Sequence, residues 1–519
     1  MRTTVPHRQP PGIDAARRAF GAGDIAATER ICAEILADSA DDWAAWCLLT
    51  ETALRRGRYD AAIVCAGRAV RLAPRQAMPL ILRAKCLFLS GDSREALSAT
   101  EAAAKHVGAA PDALDALGAM FGLLGLHRRA GEFFVRAVEL CPDVPQYLFN
   151  LAATERMIGA LGDAETHCDA AIARDPHYAL AHYLRSDLRV QSADRNHVEE
   201  MEALIRDAKL ARPSEILLRF ALGKECEDLE LWERAFAHVQ AGCDLQLHLM
   251  APDRPNMAAE IDRIIRLHTR DWIASAPSGH AAAAPVFVTG LPRTGTTLVE
   301  RIIASHPAMS SVGETGAFAS ELARAIAGQA GAADPARLGK RYIDAAAFRL
   351  PPNARFLDKT LENYLHCGLI HVALPAAKII LVQRHPLDAG WAIYKAHFQG
   401  KFPFAYDQVE LADTILAYRR LSQHWQATLP PHALMIVNYE DIVREPETSS
   451  RTIIDFLGLP WADEVLRFHE SPAPSATASA VQVRRPIYTS SLGRWRHHAK
   501  NLAPLRTRLA HEIPESELV

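Results

Sequence analysis

Residues 285–306 read PVFVT, then GLPRTGTT, then LVERIIASH, and this stretch decides the fold of the half of the chain that follows it. The first run is short and β-rich, the second carries Gly290 and Gly295 among hydroxyl residues, and the third has helical spacing. Strand, glycine-bearing loop and helix in this order form a cradle for phosphate, because backbone N–H groups at the helix start and the helix dipole both face the anion. Measured against the nucleoside-triphosphate loop GxxxxGK[ST], segment 290–297 keeps both glycines and the final hydroxyl but has Thr296 where the lysine belongs. That lysine reaches the β- and γ-phosphates in kinases and ATPases, so a loop that lacks it but carries Arg293 suits a different anionic tail. Taken alone, the loop also reads as an ordinary strand-to-helix connection.

Segments downstream supply the rest of a sheet. KIILVQ (378–383) is a buried-strand pattern that runs into Arg384, His385 and Pro386. FLDKT (356–360) sets Lys359 at the end of an apolar run, and LMIVNYEDI (434–442) is a third strand pattern ending in Tyr439 and Glu440. Strands that alternate with long helical stretches predict a mainly parallel sheet with helices on both faces, and such sheets bind ligands at the C-terminal ends of their strands.

Upstream of the loose stretch SAPSGHAAAA (275–284) the pattern is different. Gly57, Gly91, Gly125 and Gly159 are spaced 34 residues apart, as are Ala62, Ala96, Ala130 and Ala164, and again Ala69, Ala103, Ala137 and Ala171. Pro74, Pro142 and Pro176 fall on the same lattice, and Gly23 extends it backward. A 34-residue period is that of the tetratricopeptide repeat, a pair of antiparallel helices per unit, and the residue types suit it. Glycine turns the chain between helices, alanine lets helices approach, and proline ends the second helix. The register blurs after Pro176, but 218–242 again reads as a helix pair. The predicted organisation is a helical repeat domain over 10–250, a connecting helix and linker over 251–284, and an α/β domain over 285–519.

Composition narrows the rest. With 519 residues the chain exceeds one core, and a net charge of −3 provides no general field toward nucleic acid or anionic membrane. The opening MRTTVPHRQPPGIDAARR has no apolar core of signal-peptide length, and no run of membrane-spanning length follows, so the expected compartment is the cytoplasm. The nine cysteines form no metal-binding spacing and read as buried, reduced thiols.

Four segments, PRTGTTLVERIIASHP, FLDKTLENYLHCGLIHVALPAAKIILVQRHPLDAGWAIY, YEDIVREPETSSRTIIDFLGLPW and SAVQVRRPIYTSSLGRW, carry a closer likeness. Through them, residues 285–498 resemble the bacterial-type tetratricopeptide-repeat sulfotransferases, whose catalytic half is similar to tyrosylprotein sulfotransferases. The resemblance implies an all-α repeat solenoid followed by an α/β, P-loop-like sulfotransferase domain, with 3′-phosphoadenosine 5′-phosphosulfate (PAPS) as donor and no metal. It implies that Arg293, Thr294, Gly295, Thr296 and Thr297 hold the 5′-phosphosulfate and that Arg384 meets the 3′-phosphate. Tyr439, Ser479 and Arg494 then complete the nucleotide pocket, Glu314 is the general base, and Lys359, with Arg293, steadies charge on the transferring group.

Sulfuryl transfer needs in-line geometry and stabilisation of spread negative charge, which lysine and arginine supply. An acceptor hydroxyl has a high pKa, about 10 even for tyrosine, so a carboxylate placed to take its proton is expected. One position departs from the family: relatives commonly have serine eight residues after the strand-end arginine, where this chain has Ala392. The loss predicts weaker donor binding, with Lys395 or His385 as compensating groups, and leaves open a catalytically decayed repeat scaffold as the alternative. His306, His366, His371 and His397 lie on helical or apolar patterns and read as packing residues, as do Trp425, Trp461 and Trp495. The acceptor stays open among tyrosine, another phenol and a carbohydrate. The solenoid is expected to offer a surface to a peptide, a protein or a second copy of the chain.

Overall fold

The 34-residue lattice folds as a series of helix pairs. In the computed structural model, which describes residues 12–207, 210–250, 256–281, 285–327, 334–477 and 479–513, the pairs Trp43–Arg55 with Tyr59–Leu72, Ala77–Leu89 with Ser93–Ala104, and Pro111–Leu123 with His127–Leu140 each pack together. The next helices, Pro145–Ile158 and Leu161–Arg174, keep the step, and Ala179–Asp187 opens on it again. Each lattice alanine is buried: Ala62, Ala69, Ala96, Ala103, Ala137, Ala164 and Ala171 at 0% exposure and Ala130 at 1%. A larger side chain at any of them would force neighbouring helices apart, and overpacking of this kind typically costs about 1–3 kcal/mol. Residues 10–11 and 514–519, at the ends of the expected repeat and α/β domains, lie outside the described residues.

Packing divides the chain into two units, one up to Thr154 and one from Glu155 onward. The sequence pattern draws its boundary at 250. The difference arises because helices Arg212–Asp228 and Trp232–Leu249 bury their apolar faces in the core of the sheet domain: Phe220, Phe236 and Cys243 belong to the same hydrophobic cluster as Phe287, Leu381 and Trp391. Periodicity reveals a helix pair but not the surface it is buried against. The connecting helix Met257–Leu267 joins this core through Ile261 and Ile264.

Among the described residues the sheet has five parallel strands: β1 (Val286–Thr289), β2 (Ser310–Gly313), β3 (Phe356–Asp358), β4 (Lys378–Gln383) and β5 (Leu434–Asn438), in the order β2-β3-β1-β4-β5. β1 lies at the centre, buried along its whole length. The stretch after Asn438, read from sequence as part of the third strand pattern, is a helix, Tyr439–Arg444. The chain leaves β1 toward β2 on one side and leaves β4 toward β5 on the other, so a crevice opens between the C-terminal ends of β1 and β4, where parallel α/β sheets bind ligands.

Candidate functional site

All five strands end at one rim, and every strand delivers a residue that the sequence singled out. Glu314 follows the last residue of β2, Lys359 that of β3, Arg384 that of β4 and Tyr439 that of β5, while Arg293 sits in the loop after β1. Parallel direction alone puts these five on the same edge. Across the crevice, Arg384 Nη1 donates to the carbonyl oxygen of Arg293 at 3.1 Å, so the loop 290–297 and the β4 arginine stand side by side.

The loop is tightly specified. Gly295 has φ +103° and starts the helix Thr296–Ala304; a Cβ there would sit 2.4 Å from Cδ2 of Tyr439, so neither the backbone angle nor the space admits a side chain. Arg293 holds φ +64°, a left-handed conformation that non-glycine residues avoid and that recurs at functional sites. Thr294 turns inward, its Oγ1 donating to Leu291 O at 2.7 Å, and thereby closes the loop on itself. Thr296 and Thr297 begin the helix.

These residues border an open cleft lined by Arg293, Gly295, Thr296, Thr297, Arg384, Tyr439 and Ser479 together with Gln482, Arg485, Ile487 and Tyr488. Its lining includes three arginines and, among the described residues, no carboxylate, a composition fitted to a multiply anionic ligand. Arg384 lies over the Tyr439 ring at 4.7 Å and donates from Nη2 to Ser491 O at 2.7 Å. The Tyr439 hydroxyl pairs with Ser491 Oγ at 2.9 Å. Arg293 Nη1 donates to Ser479 Oγ at 2.8 Å and Nη2 to Gln482 Oε1 at 3.3 Å. Burial pulls the Arg293 guanidinium below its ordinary value, Arg384 adds to that pull and the Asp187 carboxylate opposes it; an arginine begins so high that it keeps its charge.

Glu314 and Lys359 stand on the same rim, outside the lining of the cleft, and pair with each other. Lys359 is only 1% exposed, with Glu300 Oε2 3.8 Å from Nζ, whereas the Glu314 side chain remains 38% exposed. A buried clasp fixes the pair. Asp358 accepts from Thr315 Oγ1 at 2.8 Å, Tyr342 Oη at 3.1 Å and Thr360 Oγ1 at 2.6 Å, tying the residue after Glu314 to the residue after Lys359. Burial raises the Asp358 carboxyl, and the hydrogen bonds it accepts work against the rise.

Three expected groups stand elsewhere. Arg494 lies 3.5 Å from Glu227 and is not brought to the cleft, and the Thr294 hydroxyl is spent inside the loop. Lys395, a proposed substitute for the missing serine, is paired with Glu227. Burial alone would raise the Glu227 carboxyl; Lys395 and Arg494 outweigh it and hold the group down to about 2. Ala392 is buried in the helix Pro386–Tyr394. The histidines read as packing groups are buried or occupied: burial takes His366 and His397 down to about 4, and the His306 ring lies 2.8 Å from Pro460 O and 3.1 Å from Ala308 N. Gln482, Arg485 and Tyr488 also line the cleft and Ser491 braces it, and the sequence does not mark them: 479–495 has no helical or strand period to show which side chains turn inward.

Residues 285–463 match the model of the sulfotransferase family. The C-terminal half carries a sulfotransferase-family domain. Among similar proteins, an uncharacterized protein of Aquifex aeolicus is 28% identical over 397 residues, covering 72% of this chain and 52% of the relative, so the chain spans about half that relative's length. Protein-tyrosine sulfotransferase 1 of Danio rerio is 25% identical over 260 residues, covering 44% of this chain and 72% of the relative. The solved sulfotransferase domain of the Synechococcus PCC 7002 olefin synthase shares 18% identity at a TM-score of 0.34, covering 46% of this chain and 99% of its own. A thermophilic tetratricopeptide-repeat protein of Thermus thermophilus shares 19% identity at a TM-score of 0.30, covering 37% of this chain and 97% of its own. Among the described residues no helix is long and apolar enough to cross a membrane, and no group of three or more His, Cys, Asp or Glu could hold a metal ion.

Proposed function

We propose that this sulfotransferase-family chain moves a sulfuryl group from PAPS to the hydroxyl of an acceptor, a tyrosine or other phenol or a carbohydrate. The observation that carries the reading is the convergence of Arg293, Arg384 and Tyr439 from three strand ends on one arginine-lined cleft. The donor brings two anionic groups, its 3′-phosphate and its 5′-phosphosulfate, and two arginines stand on either side of the β1/β4 crevice to meet them. In the step itself, the bond between sulfur and the donor's phosphate oxygen breaks and a bond from sulfur to the acceptor oxygen forms. The hydroxyl proton passes to Glu314, and adenosine 3′,5′-bisphosphate leaves. Arg293 and Lys359 stabilise the charge that spreads during transfer. To accept a proton Glu314 has to turn from Lys359, and its 38% exposure leaves it room to do so.

Incubation with labelled PAPS and a panel of tyrosine peptides, phenols and carbohydrates is the direct test: label on one class is expected, and failure to bind the donor at all would refute the reading. Ala392 favours a second reading, a repeat scaffold whose catalytic half has lost turnover; it requires partner binding unaffected by Glu314→Ala. In either case the repeat domain is read as a surface for a peptide, a protein or a second copy. Nine cysteines without disulfides suit the reducing cytoplasm.

A further inference from the structure

We propose that Arg156 and Arg484 are positioning residues for the donor cleft, because they hang the segment 472–488 on helices of the repeat array. Nucleotide affinity then depends on repeat residues that never touch the nucleotide. The proposal rests on the reading of this cleft as the donor site.

Segment 472–488 forms one wall of the cleft through Ser479, Gln482, Arg485 and Tyr488. Among its described residues it has turns over 479–484, closed by bonds such as Val483 N–H to Ser479 O at 3.1 Å, and no strand pairing, so its remaining backbone groups must find partners on neighbours. On the sheet side those partners belong to the phosphate loop and its helix. Arg301 Nη2 donates to the carbonyls of Ala473 and Pro474 at 2.9 and 2.8 Å, and Arg293 holds Ser479 and Gln482.

On the other side the partners are repeat residues of the same packing unit. Ser475 N–H donates to Met157 O at 2.9 Å, and Arg484 Nη2 donates to the same carbonyl at 2.8 Å. Arg156 donates from Nε and Nη2 to Asp187 Oδ2 at 3.0 and 2.6 Å, and from Nη2 to Thr477 O at 3.4 Å. The Asp187 carboxylate that orients Arg156 also acts on the charge of Arg293. One network therefore runs from the repeat helices through the segment to the arginine at the mouth of the phosphate loop.

Gly159 shows that the seat is built for the purpose. At the same lattice place, a Cβ added to Gly23 or Gly57 meets nothing within 4 Å, whereas one added to Gly159 lies 2.6 Å from Cζ of Arg484. Gly159, at φ +93°, both turns the chain between helices and leaves space for the guanidinium. The segment's hold on Arg293 matters because that side chain sits on a left-handed backbone and has Ser479 and Gln482 to fix its head. Loosening the wall releases the arginine, and donor binding has to order it again.

The test is calorimetric titration of the full-length protein with adenosine 3′,5′-bisphosphate, using Arg484→Gln, Arg156→Gln and the double variant. Each single change is expected to weaken binding about tenfold, with the double variant no more than about threefold worse than the weaker single, because both loosen one wall. Donor KM should rise while kcat at saturating donor stays within about twofold, and Arg484→Lys should recover most of the affinity, a split that general destabilisation would not produce. Wild-type affinity in both single variants, or a loss confined to kcat, would overturn the proposal while leaving the donor reading intact. Wild-type protein that does not bind the bisphosphate would sink the donor reading and this proposal with it.

Discussion

The two walls of the cleft are made by opposite means. One consists of strand ends, where Arg293, Arg384 and Tyr439 come from β1, β4 and β5 and sit where parallel hydrogen bonding puts them. The other is the irregular segment 472–488, which is held by Arg301 reaching to it from a helix on one side and, on the other, by Arg156 of the repeats and by its own Arg484 reaching to Met157 O. A wall of strand ends is rigid because the core behind it is: Val288, Ile380, Leu381 and Val382 are all fully buried. A wall hung on arginines is only as fixed as those contacts. Changes at the strand ends are therefore expected to cost more than changes at the arginines that hold the hung wall.

Changes on the rim of strand ends, which carries Glu314 beside the cleft, should cost most. Glu314→Gln is expected to lower kcat by about 10²–10⁴ with donor affinity nearly unchanged, since it removes a proton acceptor and not a ligand to the nucleotide; unchanged single-turnover rates would remove Glu314 from the mechanism. Arg384→Ala is expected to weaken adenosine 3′,5′-bisphosphate binding roughly 10–100-fold, the range for losing hydrogen bonds to a charged group, as read by calorimetry. Ala392→Ser should strengthen the same binding by less than about tenfold, because one neutral hydroxyl is worth about 0.5–1.5 kcal/mol. Equal and opposite effects of these two changes would mean that the nucleotide lies elsewhere.

The smallest effect concerns pH. Burial holds His366, His397 and His498 down to about 4, from an ordinary 6.5. Between those values the unfolded chain binds protons that the folded chain refuses, so folding is weakened as pH falls from about 6.5 toward 4 and the full contribution is present above 6.5. His397 packs against Tyr183 and Phe220, and His498 against Trp391 and Phe236, all where array helices meet the sheet domain's core within the second unit. A melting temperature that declines from pH 7 to 5 is expected; a flat profile would mean that these rings accept protons in place.

The same contrast explains what the sequence made legible. The lattice alanines and the strand patterns at 286–289 and 378–383 are repeated or continuous apolar signals, and each corresponds to a helix pair or a strand. β2 escaped because Ser310–Gly313 is a short edge strand with one buried residue in four, which leaves no apolar pattern to read. Tyr439 and Glu440 were read as strand and are helix, the chain turning directly out of β5. The boundary at Glu155 was hidden because a helix pair looks the same whether it packs on another repeat or, as Phe220 and Phe236 do, in the core of a sheet domain. Arg494 was chosen by likeness in a stretch without period, where the buried partner Glu227 lies in a distant helix, Arg212–Asp228, and could not be foreseen.

Titration of the full-length protein with adenosine 3′,5′-bisphosphate, beside ATP with magnesium, most directly tests whether the arginine-lined cleft is a donor site. Saturable one-to-one binding of the bisphosphate is expected, weakened roughly 10–100-fold in Arg384→Ala, with ATP binding far more weakly. Tighter binding of ATP with magnesium, or no binding of the bisphosphate, would contradict the donor site.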